Sequence, residues 1–188
     1  MVKNEAELVK PYDENAAKKA QVAEMFDNIS ARYDLLNHLL SLNIDKLWRK
    51  KAVKLIRPFA PKQILDVATG TGDFAIELKK LNPDYIRGID ISAGMLDVGN
   101  KKMCHRKIDH IISLELGDAE NIEAEDNTYE AVTVAFGVRN FENLKKGLSE
   151  INRVLKSGYP LAVLEFSKPR AFPMKQLYNF YFSTILPL

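Results

Sequence analysis

Apolar positions change their rhythm once along this chain. Up to about Pro58 they recur at helical spacing: Val22, Met25, Phe26 and Ile29 share one face, and Leu35, Leu36, Leu39 and Leu40 continue the stripe after Asp34. These are expected to be packing residues. A third helix is expected from about Asp45, read as its N-cap, through Trp48, Val53, Leu55 and Ile56. Past Pro58 and Pro61, short apolar runs at 63–67, 85–89, 111–116, 131–136 and 161–166 alternate with helical stretches at 73–80, 95–102 and 144–155. The runs are apolar on both faces and the intervals are long enough for crossover helices, which is the pattern of a buried parallel sheet. Lys156-Ser157-Gly158 closes the last helix with a basic turn and a glycine. The expected fold is α/β, a doubly wound sheet with helices on both faces. A helical lead or lid spans 1–60 and a sheet unit 61–188, and at 188 residues the two make one structural domain.

Composition adds exclusions. The 27 basic and 25 acidic residues leave a net charge of +2, so bulk charge gives a nucleic-acid partner no support. The single cysteine, Cys104, has no intramolecular partner and no zinc-type spacing, which suits a reducing compartment. The charged start of the chain lacks the apolar core of a signal peptide, and no run approaches the length of a membrane span. A cytoplasmic location is expected. His38, His105 and His110 lack the spacing of a helical metal pair, and no metal site is assigned.

The strongest local signal is Asp66-Val67-Ala68-Thr69-Gly70-Thr71-Gly72-Asp73, a small-residue loop between the first strand and its helix. Gly70 and Gly72 let backbone approach a ligand, and the helix behind them presents free N–H groups. Alone, a G-x-G turn also fits an ordinary tight turn. Ala75 stands where a dinucleotide fingerprint has its third glycine and is tolerated there, so it does not separate ligands. Asp66 and Asp73 flank the turn with carboxylates, which would repel a pyrophosphate and favour the cationic sulfonium and amino groups of S-adenosylmethionine. Asp90 ends the second strand 18 residues after Gly72, where Rossmann-like folds place an acid on the ribose hydroxyls. Asp118 follows the third strand and is suited to accept from an adenine amino group, with the Ala119 N–H facing the ring. Each acid alone also reads as a cap or loop carboxylate. All three at strand C-termini fall where open α/β sheets bind ligands.

At these residues the chain resembles a class I methyltransferase with a Rossmann-like sheet. Separate stretches narrow the resemblance: 25–37 (MFDNISARYDLLN), Leu47-Trp48-Arg49, the glycine loop, 136–141 (FGVRNF) and 153–169 (RVLKSGYPLAVLEFSKP). From about Val22 to Leu188 the chain is similar to the C-methyltransferases of menaquinone and ubiquinone biosynthesis. The resemblance implies methyl transfer from S-adenosylmethionine to a ring carbon of a polyprenylated quinol, demethylmenaquinol being the usual bacterial substrate. It implies donor contacts at Thr71, Asp90, Asp118 and Ala119. The chain departs from the family at Ser157-Gly158-Tyr159-Pro160, where L-K-P-G-G is usual, and at Ala135, where many relatives carry serine. Relatives continue past the position of Leu188, and class I sheets usually end in an antiparallel hairpin, so the C-terminal strands are expected to be missing from this sequence.

Methylating carbon requires donor and ring in line, water excluded, and the quinol hydroxyl deprotonated. The fourth strand runs into Gly137-Val138-Arg139-Asn140. Arg139, always charged, is assigned to stabilising the quinol oxyanion, and Asn140 to orienting the ring. Tyr33 in the lead is placed to bond the substrate, and Asp34 is a candidate base. Each also has a structural reading: an ion pair, a turn cap, lid packing. The aromatic residues Phe172, Tyr178, Phe180, Tyr181 and Phe182 suit a prenyl groove, a membrane surface or packing against further chain. Peripheral contact with the inner face of a membrane and a homodimer both stay open. So do a methyltransferase acting on another small molecule, a non-catalytic donor-binding module and, disfavoured by the flanking carboxylates, a nicotinamide oxidoreductase.

Overall fold

The fold was described from a computed structural model, which describes residues 11, 17–41, 43–165, 172–173 and 176. The lead forms two helices, α1 (Lys18–Leu40) and α2 (Ile44–Ile56). Then come β1 (Gln63–Val67), α3 (Asp73–Leu78), β2 (Tyr85–Asp90), α4 (Ala93–His105), β3 (Ile112–Leu116), β4 (Ala131–Ala135), α5 (Leu144–Val154) and β5 (Leu161–Leu164). All neighbouring strands are parallel, in the order β3-β2-β1-β4-β5. The chain winds outward from β1 to β3, then crosses back to β4. The loops after β1 and β4 therefore diverge and open a crevice at the strand C-termini, where sheets of this topology bind ligands.

Alternation along β1 divides the core. Ile64 faces one layer with Val53 and Ile56 of α2, Phe74 and Leu78 of α3, and Leu96 and Met103 of α4. Leu65 and Val67 face the other, with Val132, Tyr129 and Ile151 and Val154 of α5. β1 and β4 are buried on both faces, as the sequence predicts, whereas at the edge strand β5 Leu161 and Val163 are exposed among the described residues.

Several local expectations are corrected. The 22–29 and 35–40 stretches belong to one continuous helix of 23 residues. Leu35, Leu36 and Leu39 are 68%, 40% and 62% exposed, while Val22 is buried. Asp45 is not the cap of α2. Asn43 precedes that helix with a left-handed φ of 60°, and Asp45 sits in its first turn, where its carboxylate accepts from Ser41 Oγ (2.6 Å) and Arg49 Nη1 (2.8 Å). The fourth strand stops at Ala135 because Phe136 turns to φ 59°. The fifth stops at Leu164, and Phe166 lies outside the described residues. No helix among the described residues is long and apolar enough to cross a membrane.

Candidate active site

The loop after β1 is shaped by three residues with positive φ: Ala68 (53°), Gly70 (56°) and Gly72 (78°). It folds back onto β2 through Thr69 N–H donating to Ile89 O (3.0 Å), and closes on itself through Gly72 N–H to Thr69 O (3.0 Å). At Gly72 a Cβ would stand 2.5 Å from Met103 Cε and 2.9 Å from Leu114 Cδ1, so glycine is needed for close packing as well as for its backbone. Gly70 has room for a Cβ, 3.9 Å from Tyr33 Cε1, and its N–H is turned to Asp90 instead.

Asp90 is the pivot of the crevice. It is 8% exposed; one carboxylate oxygen accepts from Gly70 N–H (2.8 Å) and the other from Ser92 N–H (2.9 Å). Burial pushes its pKa up, and the N–H groups of Ser92, Gly70 and Ile91 oppose the shift. Three N–H groups on two oxygens leave the carboxylate a lone-pair site that can still accept from a ligand hydroxyl. Asp118, after β3, accepts from Glu120 N–H (2.9 Å) and from Lys19 Nζ of α1 (2.6 Å). Asp66 is a different kind of acid. It is 1% exposed, and its two oxygens accept from Thr69 Oγ1 (2.7 Å) and Thr133 Oγ1 (2.5 Å). Burial raises its pKa to about 6 against those two hydroxyls.

Helix α1 is fastened over this edge at three levels. In its first turn Lys18 Nζ donates to Arg139 O and Phe141 O (3.0 Å each), and Lys19 reaches Asp118 and Glu120. In its middle Asp27 Oδ1 accepts from Ser92 Oγ (2.6 Å) and Gly94 N–H (2.8 Å) at the N-terminus of α4, where the helix dipole favours an anion. Further on, Asp34 accepts from Thr71 Oγ1 (2.5 Å) and Lys102 Nζ (2.8 Å).

Between lid and sheet lies a cleft of about 640 Å³, open solvent included. Phe26, Ile91, Met95, Ala119 and Phe141 give it apolar walls; Asp90, Asp118, Glu120, Lys19, Tyr33 and Asn140 are polar groups along it. A second cavity of about 370 Å³, open solvent included, adjoins it and shares Tyr33, Ala68, Gly70, Ala135 and Phe136 with it. Its remaining wall is Arg49, Asp66, Thr69, Thr71, Asp73 and Phe74. One apolar slot leading to one polar chamber suits an elongated ligand with an aromatic end and a charged end.

Of the residues singled out from sequence, Gly70, Asp90, Asp118, Ala119, Tyr33 and Asn140 line the cleft, and Asp66 and Thr71 line the chamber. Gly72 shapes the loop from behind. Asp34 and Arg139 border neither cavity: Asp34 is held by Thr71 and Lys102, and Arg139, 48% exposed at its side chain, has its Nε 3.7 Å from Glu165. Tyr33 packs edge-on against Phe26, ring centres 5.8 Å apart, and burial raises its phenol, leaving a neutral donor at physiological pH. Asp73 differs from expectation in its surroundings. Burial alone would raise its carboxyl, but Lys102 (2.7 Å), Arg49 (3.5 Å) and His38 (3.3 Å) hold it below the usual range. The flanking carboxylates are thus one buried group and one matched by cations, and repulsion of a pyrophosphate is weaker than sequence suggests. Ala135 lines both cavities, so the serine-to-alanine departure falls at the site. Phe172 is 82% exposed; Tyr178, Phe180, Tyr181 and Phe182 lie outside the described residues.

Sequence reasoning missed Lys18, Lys19, Asp27, Arg49 and Lys102. Lysines and aspartates on a polar helix face read as solvated charge. Only the 25–37 stretch, which holds Asp27, and Leu47-Trp48-Arg49 carried a signal, and neither gave these residues a role.

Comparisons with known proteins agree with the fold and give the family. The model of the ubiE/COQ5 methyltransferase family matches residues 14–188. Demethylmenaquinone methyltransferase of Bacteroides fragilis is 50% identical over 182 residues, covering 96% of this chain and 74% of that protein. The ubiquinone/menaquinone biosynthesis C-methyltransferase UbiE of Geobacter sulfurreducens is 43% identical, covering 91% and 68%. Among solved structures, the [4+2]-cyclase SpnF aligns with a TM-score of 0.67 at 23% identity, over 81% of this chain and 62% of that one. A putative S-adenosylmethionine-dependent methyltransferase of Methanococcus maripaludis aligns at 0.62 and 22% identity, over 94% and 77%. These structures share the fold, and the sequence matches fix the lineage: the chain belongs to the ubiE/COQ5 methyltransferase family.

Proposed function

We propose that this protein transfers a methyl group from S-adenosylmethionine to a ring carbon of demethylmenaquinol, as the relatives named for that reaction do. The observation that carries the reading is Asp90, a buried carboxylate fixed by the glycine loop's own N–H and lining a cleft with apolar walls. Asp90 would hold the ribose hydroxyls. Asp118 and the Ala119 N–H would read the adenine edge between Ile91, Met95 and Phe141. Asp66, Thr69 and Thr71 fit the ammonium end in the adjoining chamber. S-adenosylmethionine, when bound, supplies an electrophilic methyl on sulfur.

The chain's residues do the rest. The three fastenings of α1 hold the lid over the cleft and exclude water, which strengthens every polar contact inside. Tyr33, which lines both the cleft and the chamber, and Asn140, which lines the cleft, orient the quinol by hydrogen bonds. Arg139 stabilises the quinol oxygen as its proton passes to solvent, which requires the side chain to exchange Glu165 for substrate, and once the ring carbon is methylated its C–H proton is lost by the same route. Asp34, engaged by Lys102, serves to hold the lid. A prenylated substrate brings the protein to a membrane surface, and the contact is peripheral in this reading.

Calorimetric titration with S-adenosylhomocysteine, with NAD as control, tests the donor site. Wild type binds the first and not the second, and Asp90→Ala weakens binding about tenfold to a hundredfold, the scale of a charge-assisted bond. Binding of NAD alone would overturn the reading.

A further inference from the structure

Arg49 carries a feature that lid packing does not explain. It is 7% exposed, and its Nε is the one buried side-chain nitrogen or oxygen among the described residues without a hydrogen-bond partner. Nη1 is occupied, by Asp45 at 2.8 Å and Asp73 at 3.5 Å. Those contacts fix the guanidinium plane and leave one edge unused. Arg49 also lines the chamber beside the glycine loop, together with Asp66, Thr69 and Thr71. Its charge reaches the chamber: it acts on both Asp66 and Tyr33. A buried N–H left unmade is costly, and a planar guanidinium edge in a ligand chamber is the usual partner of a carboxylate.

Resting on the donor reading above, we propose that Arg49 is a binding residue for the carboxylate of the donor's amino-acid arm. The chamber then holds a zwitterion with a matched wall on each side. Asp66, buried between two threonine hydroxyls, faces the ammonium, and the Arg49 Nε edge receives the carboxylate. The ion pairs to Asp45 and Asp73 orient the guanidinium, and through them α2 and the start of α3 sense whether the arm is in place.

Titration with S-adenosylmethionine and its decarboxylated analogue, which keeps adenosine, sulfonium and amine, separates this role from a structural one. Wild type prefers the complete donor. Arg49→Met lowers affinity for it about tenfold to a hundredfold while affinity for the decarboxylated analogue stays within about twofold, so the preference collapses. Arg49→Lys, which keeps the charge and a smaller disruption of Asp45, falls between. Equal loss for both ligands, or no loss for either in a variant whose circular dichroism matches wild type, would overturn the assignment. Should Arg49→Met not fold, Arg49→Lys decides by the same comparison. Failure of wild type to bind either compound would instead refute the donor reading.

Discussion

At the scale of single residues, two buried groups set measurable behaviour. Asp66 has its pKa raised from 3.8 to about 6 by burial. A carboxyl raised in the folded state favours folding while protonated, so its contribution is fully present below pH 3.8 and is lost as pH climbs through about 6. Two units correspond to roughly 3 kcal/mol. Asp66→Asn keeps an acceptor and a donor for Thr69 and Thr133 and removes the titration. Denaturant unfolding between pH 4 and 7 should therefore show the variant gaining on wild type with rising pH, and parallel curves would exclude the raised pKa. Gly72 is the second case. Gly72→Ala forces φ 78° on an L residue and drives a methyl into Met103 and Leu114, with an expected loss of about 2–4 kcal/mol in unfolding free energy. Gly70→Ala has open space and should lose only about 1–2 kcal/mol from backbone strain.

At the scale of elements, α1 works as a lid because its charges land on polar edges of the sheet unit. Asp27 docks on the N-terminus of α4 through Ser92 Oγ and Gly94 N–H. Asp27→Ala removes both bonds, and hydrogen exchange should speed in α1 while β1 and β2 keep their protection. Global stability should fall by only about 1 kcal/mol, and donor affinity by severalfold as the cleft loses cover. Unchanged exchange in α1 would show that the other two fastenings suffice. The sheet itself was legible in sequence because its strands are apolar on both faces and separated by helical intervals. The boundaries were not. Phe136 reads as a strand residue but takes a left-handed φ, and Asp45 reads as a cap but is buried under Ser41, His38 and Arg49. Periodicity reports which face is apolar, not which polar partner a neighbouring helix brings.

At the scale of the whole molecule, the crevice is a product of topology. Reversal between β1 and β4 opens the loop ends, and the acids at the ends of β2 and β3 line them. That is why Gly70, Asp90, Asp118 and Ala119 could be named from spacing alone. The long-range partners could not, because Lys19 meets Asp118 and Lys102 meets Asp34 across 99 and 68 residues of chain. The surroundings of Asp73 were hidden for the same reason, since its partners His38, Arg49 and Lys102 come from α1, α2 and α4. The chain's central activity is tested most directly by incubating the purified protein with methyl-labelled S-adenosylmethionine and a short-tailed demethylmenaquinol, then locating the label by mass spectrometry. Label on the quinol ring carbon, diminished in Arg139→Ala with donor binding retained, is the predicted result; donor binding without label in any quinol would contradict the account.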